Sequence, residues 1–197
     1  MNSNHAINLR KATSMAKSEK RPAVFIDRDG TIIKQIDILT DPSQLELLSG
    51  AAEAIADLNR RGFIVIGLTN QPIIEKGSLT QEGLSNIHAT LERKLRESGA
   101  HLDAIYTCPH AYRAEGQCRC RKPGLKLIED AQIDFSIDMQ RSWLIGDRLR
   151  DVETGKRARL KTILVATGGQ SKDDDFFPDA KPDYRVGDIR AAVRLIQ

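Results

Sequence analysis

The sequence predicts a three-layer α/β domain with a doubly wound parallel sheet, and three observations carry that expectation. Short segments that are apolar throughout alternate with segments whose apolar residues recur at helical spacing. Glycines and capping residues punctuate them in the order strand, loop, helix. The 197 residues, 40% of them hydrophobic, suffice for one well-buried core and favour a single domain.

Residues 1–21 are polar and keep no helical or strand period, so they are expected to be a mobile extension ahead of a domain over 22–197. Ala23 to Ile26 is a short apolar run that ends in acids. Ala51, Ala54, Ile55 and Leu58 then repeat at helical spacing until Gly62 stops them. Phe63 to Leu68 reads as a second buried strand. Thr80 can cap a helix whose Leu84, Ile87, Leu91 and Leu95 share one face before Gly99. The alternation continues with a strand over Ala104 to Thr107, a helix near Leu125 to Ile133, a strand over Trp143 to Ile145, a helix near Val152 to Arg159 and a strand over Thr162 to Val165. Asp173, Asp174 and Asp175 fall in a polar loop, and Pro182 to Gln197 should close the domain with an edge strand and a helix. Apolar strands separated by helices require a parallel sheet covered on both faces by right-handed crossovers.

Composition narrows the function. The net charge is only +3 and the basic residues are scattered, so no nucleic-acid partner is indicated. No aromatic and basic cluster at the strand ends could hold bases. No apolar run is long enough to cross a bilayer and the first twenty residues lack a signal-peptide core, which leads us to expect a cytoplasmic protein without membrane partners. A monomer is the default for a small domain of this kind.

Val24-Phe25-Ile26-Asp27-Arg28-Asp29-Gly30-Thr31 delivers two acids, one residue apart, to the carboxyl end of a strand, where open α/β sheets bind ligands. Read alone, the two acids before a glycine fit turn chemistry equally well, with Gly30 permitting the turn. The three cysteines lie within thirteen positions. Cys108-Pro109-His110 and Cys118-Arg119-Cys120 supply three thiolates and one imidazole, the set for a closed tetrahedral Zn²⁺ site. All four positions would be filled by protein, so its role should be structural; the bland alternative is three free cysteines. His5, His88 and His101 have no such partners in sequence and read as surface or packing residues.

Strand-DxDGT resembles the first motif of the haloacid dehalogenase superfamily. Three further motifs follow in order: Leu68-Thr69-Asn70-Gln71, Arg121-Lys122-Pro123, and Ile145-Gly146-Asp147-Arg148-Leu149-Arg150-Asp151. The resemblance spans Ala23 to Val165 and implies a Rossmann-like phosphatase. It makes Asp27 the nucleophile and Asp29 the acid/base group, with catalytic Mg²⁺ held by Asp27, Asp147 and the main-chain carbonyl of Asp29. Thr69 and Lys122 would serve the phosphoryl group and balance charge. Asp151 could reach the metal through water, hold Lys122, or cap the following helix.

The cysteine pattern running into Arg121-Lys122-Pro123 looks like a narrower, zinc-containing subgroup without a large cap domain, whose members act on a heptose bisphosphate or on histidinol phosphate. Thr31 to Ser49 is too short for a cap. By that resemblance Gln35, Ile36, Asp37, Ile38, Thr69, Asn70, Gln71, Pro72, Arg121 and Arg148 would hold a small phosphorylated sugar, with Arg121 and Arg148 as cations for a second phosphate. The implied reaction is removal of the 7-phosphate of D-glycero-D-manno-heptose 1,7-bisphosphate. The rivals are a histidinol-phosphate or other phosphomonoester phosphatase, a nucleic-acid 3′-phosphatase, and a zinc-containing binding module without activity.

Overall fold

A computed structural model describes residues 6–8, 19–113, 118–169 and 176–197. In chain order the elements are β1 (Ala6–Asn8), β2 (Ala23–Asp27), α1 (Ala51–Arg60), β3 (Ile64–Asn70), α2 (Gln81–Glu97), β4 (Ala104–Cys108), α3 (Lys126–Asp134), β5 (Trp143–Gly146), α4 (Leu149–Arg157), β6 (Lys161–Val165), β7 (Tyr184–Val186) and α5 (Ile189–Leu195). The sheet order is β1-β4-β3-β2-β5-β6-β7. Six strands are parallel; β1 pairs antiparallel with β4.

Alternation along the strands explains the three layers. In β2, Val24 and Ile26 enter one apolar cluster while Ala23 and Phe25 enter the other, and all are fully buried. Each face must therefore carry helices. The first cluster takes Ile55 and Leu58 of α1, Leu84, Ile87 and Leu91 of α2, and Ile189 and Val193 of α5; the second takes Leu127 and Ile128 of α3. Completely burying one such aliphatic side chain contributes about 1.5–3 kcal/mol, so truncating Ile26 or Phe25 would damage the central strand most.

The helices begin and end for identifiable reasons. Thr80 Oγ1 accepts the Gly83 N–H at the start of α2, and Gly99 takes a φ of 72° just past its end. Helix α4 starts three residues before the expected Val152, because the Asp151 carboxylate accepts the Arg148 N–H and caps its first turn. The expected edge strand and final helix are β7 and α5. Residues 1–21 had shown no strand, yet 6–8 extend the sheet; three residues are too few to generate a period. Residues 1–5, with His5, and residues 173–175 lie outside the described residues.

The topology also locates the site. From central β2 the chain moves outward through β3 and β4, then crosses back so that β5 lies on β2's other side. Such a reversal opens a crevice at the strands' carboxyl ends. Asp27, Asn70, Cys108 and Gly146 end the four strands there.

Candidate active site

Three carboxylates converge beyond this edge. Oxygens of Asp27, Asp147 and Asp151 lie within 4.8 Å of one another, and all three residues are buried. Lys122 Nζ stands between two of them, 2.7 Å from Asp27 Oδ1 and 2.6 Å from Asp151 Oδ1, and donates to the Leu68 carbonyl at 3.0 Å. Burial disfavours its charge, but Asp151 and Asp27 outweigh burial and move its pKa upward. Asp151 thus holds Lys122 and caps α4 at once, combining two of its three expected roles. Its closeness to Gly146 is possible only because glycine has no Cβ, which would fall 2.4 Å from the Asp151 Cβ.

Asp147 is under-compensated. Arg148 Nε lies 2.9 Å from Oδ2, yet neither carboxylate oxygen has an aligned hydrogen-bond donor. Burial first, then the Asp27 and Asp151 carboxylates, push its pKa up to about 9. Gly30, with a φ of 82°, and Gly168 wrap this carboxylate so closely that Cβ atoms there would sit 2.5 and 1.6 Å from Oδ2. A buried cluster of three acids bridged by one lysine suits a hard divalent cation bound through oxygen.

Asp29 is clamped by four donors. Arg28 forks onto it, Nε to Oδ2 at 3.1 Å and Nη2 to Oδ1 at 2.8 Å; Gln71 Nε2 and Thr69 Oγ1 reach Oδ2 at 2.8 and 3.2 Å. Asn70 instead grips the main chain of Lys122 from both sides, accepting its N–H at 3.0 Å and donating to its carbonyl at 3.3 Å. That pair ties β3 to the loop carrying the lysine.

A cleft of about 180 Å³ opens over the acids. Of the ten residues expected to hold substrate, Gln35, Ile36, Asp37, Thr69, Asn70, Gln71, Pro72 and Arg121 line it. Ile38 is exposed and does not. Nor does Arg148: its Nη1 and Nη2 each donate at 2.8 Å to the carbonyls of Gly169 and Gly168, so its guanidinium is committed to the loop around Asp147. Arg150, two residues on, lines the cleft in its place. Arg28 and Arg150 were missed in the sequence, although each lies inside a motif that was singled out.

The cysteines form a second cluster. Cys120 Sγ lies 3.1 Å from Cys108 Sγ, 3.6 Å from Cys118 Sγ and 3.2 Å from His110 Nδ1; Cys108 Sγ lies 3.5 Å from both Cys118 Sγ and His110 Nδ1. Thiolates bound about 2.3 Å from a central ion would form a tetrahedron with edges of about 3.8 Å, close to this arrangement. Hydrogen bonding from Cys108, above all, draws the Cys120 pKa down to about 5, while the same contact and burial raise that of Cys108. A proton shared among crowded thiols is what a bound cation would displace. From this cluster Arg121 Nη1 reaches the His110 carbonyl at 3.1 Å, which steadies the cation at the cleft.

Known proteins place the chain in a family. A family model described as "HAD-hyrolase-like" matches residues 119–192. A D-glycero-beta-D-manno-heptose-1,7-bisphosphate 7-phosphatase of Photorhabdus laumondii is 36% identical over 153 residues, covering 75% of this chain and 81% of its relative. The chain belongs to the heptose 1,7-bisphosphate 7-phosphatase family, within the haloacid dehalogenase superfamily. Another member of the heptose 1,7-bisphosphate 7-phosphatase family, from Thermosynechococcus vestitus, is 32% identical over 187 residues, 89% of this chain and 95% of that one. Among solved structures, the D,D-heptose 1.7-bisphosphate phosphatase from B. bronchiseptica complexed with magnesium and phosphate has a TM-score of 0.76 at 27% identity, over 88% of this chain and 97% of that one. The present chain carries Asp27 at the end of β2 and Asp147 just past the end of β5, in an α/β domain. No helix among the described residues is long and apolar enough to cross a membrane.

Proposed function

We propose that this chain is a Mg²⁺-dependent phosphatase that works through a phosphoaspartate on Asp27 and removes the 7-phosphate of D-glycero-D-manno-heptose 1,7-bisphosphate. The observation that carries the reading is the buried cluster of Asp27, Asp147 and Asp151, bridged by Lys122 and placed under a cleft lined by Asp29 and three arginines. Asp27, Asp147 and the main-chain carbonyl of Asp29 would hold Mg²⁺, with Asp151 behind them. When bound, the ion supplies charge that lets a carboxylate approach a phosphate dianion.

The chain's own groups account for the rest. An Asp27 oxygen attacks phosphorus as the bond from phosphorus to the sugar oxygen breaks, and Asp29 gives that oxygen its proton. Asp29 then takes a proton from water, whose oxygen attacks the phosphoaspartate and releases inorganic phosphate and the Asp27 carboxylate. Lys122 offsets the charge on Asp27 throughout, and Thr69, beside Asp29, can turn its hydroxyl to a phosphoryl oxygen.

Arg121 and Arg150 line the same cleft and supply the cations that a second, unreacted phosphate requires. They favour a sugar bisphosphate over histidinol phosphate, whose far end is itself a cation. We also infer that Cys108, His110, Cys118 and Cys120 hold a structural Zn²⁺ that keeps Arg121 and Lys122 in place, supported by the near-tetrahedral spacing of their ligand atoms.

The deciding experiment is phosphate release from heptose 1,7-bisphosphate and from histidinol phosphate in the presence of Mg²⁺, with the remaining sugar phosphate located by NMR. Preferential turnover of the bisphosphate with the 1-phosphate retained is expected. Faster turnover of histidinol phosphate would refute the substrate assignment, and no turnover of either would refute the phosphatase.

A further inference from the structure

We propose that His88 is a positioning residue for the acid/base carboxylate Asp29 and acts on it through Arg28. The inference rests on the reading of Asp29 given above and adds to it a residue from a distant helix.

Arg28 is the place to begin, because it is among the largest fully buried side chains of the domain. A guanidinium cannot shed its charge, so it is tolerated there only with partners for its donors. Two of its nitrogens fork onto the two oxygens of Asp29; the third, Nη1, lies 3.3 Å from His88 Nε2. Thr69 and Gln71 both donate to Asp29 Oδ2, whereas Oδ1 has Arg28 Nη2. Arg28 therefore sets the plane of the carboxylate, which the other two donors leave free to swivel about Oδ2.

His88 in turn sets Arg28. Guanidinium groups only donate, so Nε2 must accept and the ring proton resides on Nδ1. The ring is buried on the inner face of α2 beside Leu84, Ile87 and Leu91. Burial first, and the neighbouring Arg28 charge second, push its pKa down to about 3, so it stays neutral at working pH. A neutral acceptor holds the guanidinium without competing with Asp29 for its charge. Without that acceptor, Nη1 becomes a buried orphan donor, and the guanidinium must turn to satisfy it, which breaks the fork on Asp29.

A packing role alone would lower stability without selecting a chemical step, and this separates the two. Protonation by Asp29 matters for a sugar alkoxide leaving group but not for nitrophenolate, which departs unprotonated. In His88→Leu we expect kcat on the sugar phosphate to fall about tenfold or more with KM within about twofold. The initial burst of nitrophenolate from 4-nitrophenyl phosphate should keep its rate, while the slower steady state that needs Asp29 as base declines. His88→Gln, whose side-chain carbonyl can accept from Nη1, should recover most of the loss. Equal losses in burst and steady state, an unchanged kcat, or no advantage of Gln over Leu would overturn the proposal.

Should the leucine variant not fold, Arg28→Lys makes the same comparison, since a single ammonium cannot fork two oxygens and also reach His88; a burst slowed as much as the steady state would again overturn it. Asp29→Asn serves as the control. If that variant retains turnover of the sugar phosphate, the acid/base reading of Asp29 fails; if it is inactive while His88→Leu is normal, only the role of His88 fails.

Discussion

Replacing Lys122 by methionine removes one charge from the most crowded electrostatic locus of the domain, and the structure fixes the scale of the effect. The ammonium is about 1% exposed and touches Asp27, about 5% exposed, and Asp151, fully buried. Methionine fills a similar volume, so the loss is electrostatic rather than a cavity. Removing one partner of a buried ion pair costs about 3–5 kcal/mol because the remaining charge is uncompensated. Here the remainder is two carboxylates rather than one, which argues for the upper half of that range. Domains are stable by only about 5–15 kcal/mol, so the variant should fold but sit close to its limit. With a urea slope of about 2.5 kcal/mol per molar, the unfolding midpoint should drop by about 1.6–2 M in buffer without Mg²⁺. Adding Asp151→Asn should recover part of the drop, because it removes one of the two charges left alone. A midpoint within about 0.2 M of the parent would refute the claim that Lys122 holds the carboxylates together.

Further outcomes are open to measurement. Asp27→Asn should retain the fold, seen by circular dichroism, and lower phosphate release by about a thousandfold or more, since it removes the nucleophile; near-normal release would sink the mechanism. Arg150→Ala should raise KM for the bisphosphate by about 10- to 100-fold, the worth of one hydrogen bond to a charged group, with little effect on a monophosphate; equal effects on both substrates would deny Arg150 the second phosphate. Protein purified without chelators should contain about one zinc per chain by elemental analysis, and Cys118→Ser should lose it together with thermal stability; absence of zinc would leave the cysteines unexplained. His88 also predicts a pH dependence. Its pKa falls from 6.5 to about 3 on folding, so the unfolded chain binds the extra proton between those values. Its stabilising contribution is therefore complete above about pH 6.5 and is lost as pH falls toward 3, by about 3–5 kcal/mol in all. The acid limb of stability should be flatter in His88→Leu, and parallel limbs would contradict this.

What the sequence disclosed and what it withheld follow from the kind of signal each residue carries. The strands of the inner sheet were legible because burial on both faces makes them apolar throughout, and α2 because four leucine and isoleucine residues mark its face. His88 lies on that same face, four residues after Leu84 and three before Leu91, a spacing that favours packing over the surface position left open beside it; its partner was not legible, because Arg28 is sixty residues away. Arg28 stood between two conspicuous acids, and nothing in its own position showed that it forks onto one of them. Arg148 and Arg150 could not be told apart by charge. Only the carbonyls of Gly168 and Gly169 show that the first is committed to a loop and the second lies at the cleft. β1 was invisible because its pairing is a property of the exposed edge of β4, not of its own three residues.

The bridge between Asn70 and Lys122 has a consequence for how this chemistry can be moved between proteins. Asp27 arrives on β2, Thr69 and Asn70 on β3, Lys122 from the loop after β4, and Asp147 and Asp151 around the start of α4. The shortest stretch containing all of them runs from Asp27 to Asp151, through four strands of one continuous sheet. A graft that carried the acids without β4 would carry mutual repulsion and no lysine to quench it. The site is in this sense indivisible: it can be inherited whole, with its sheet, but not transplanted as a motif.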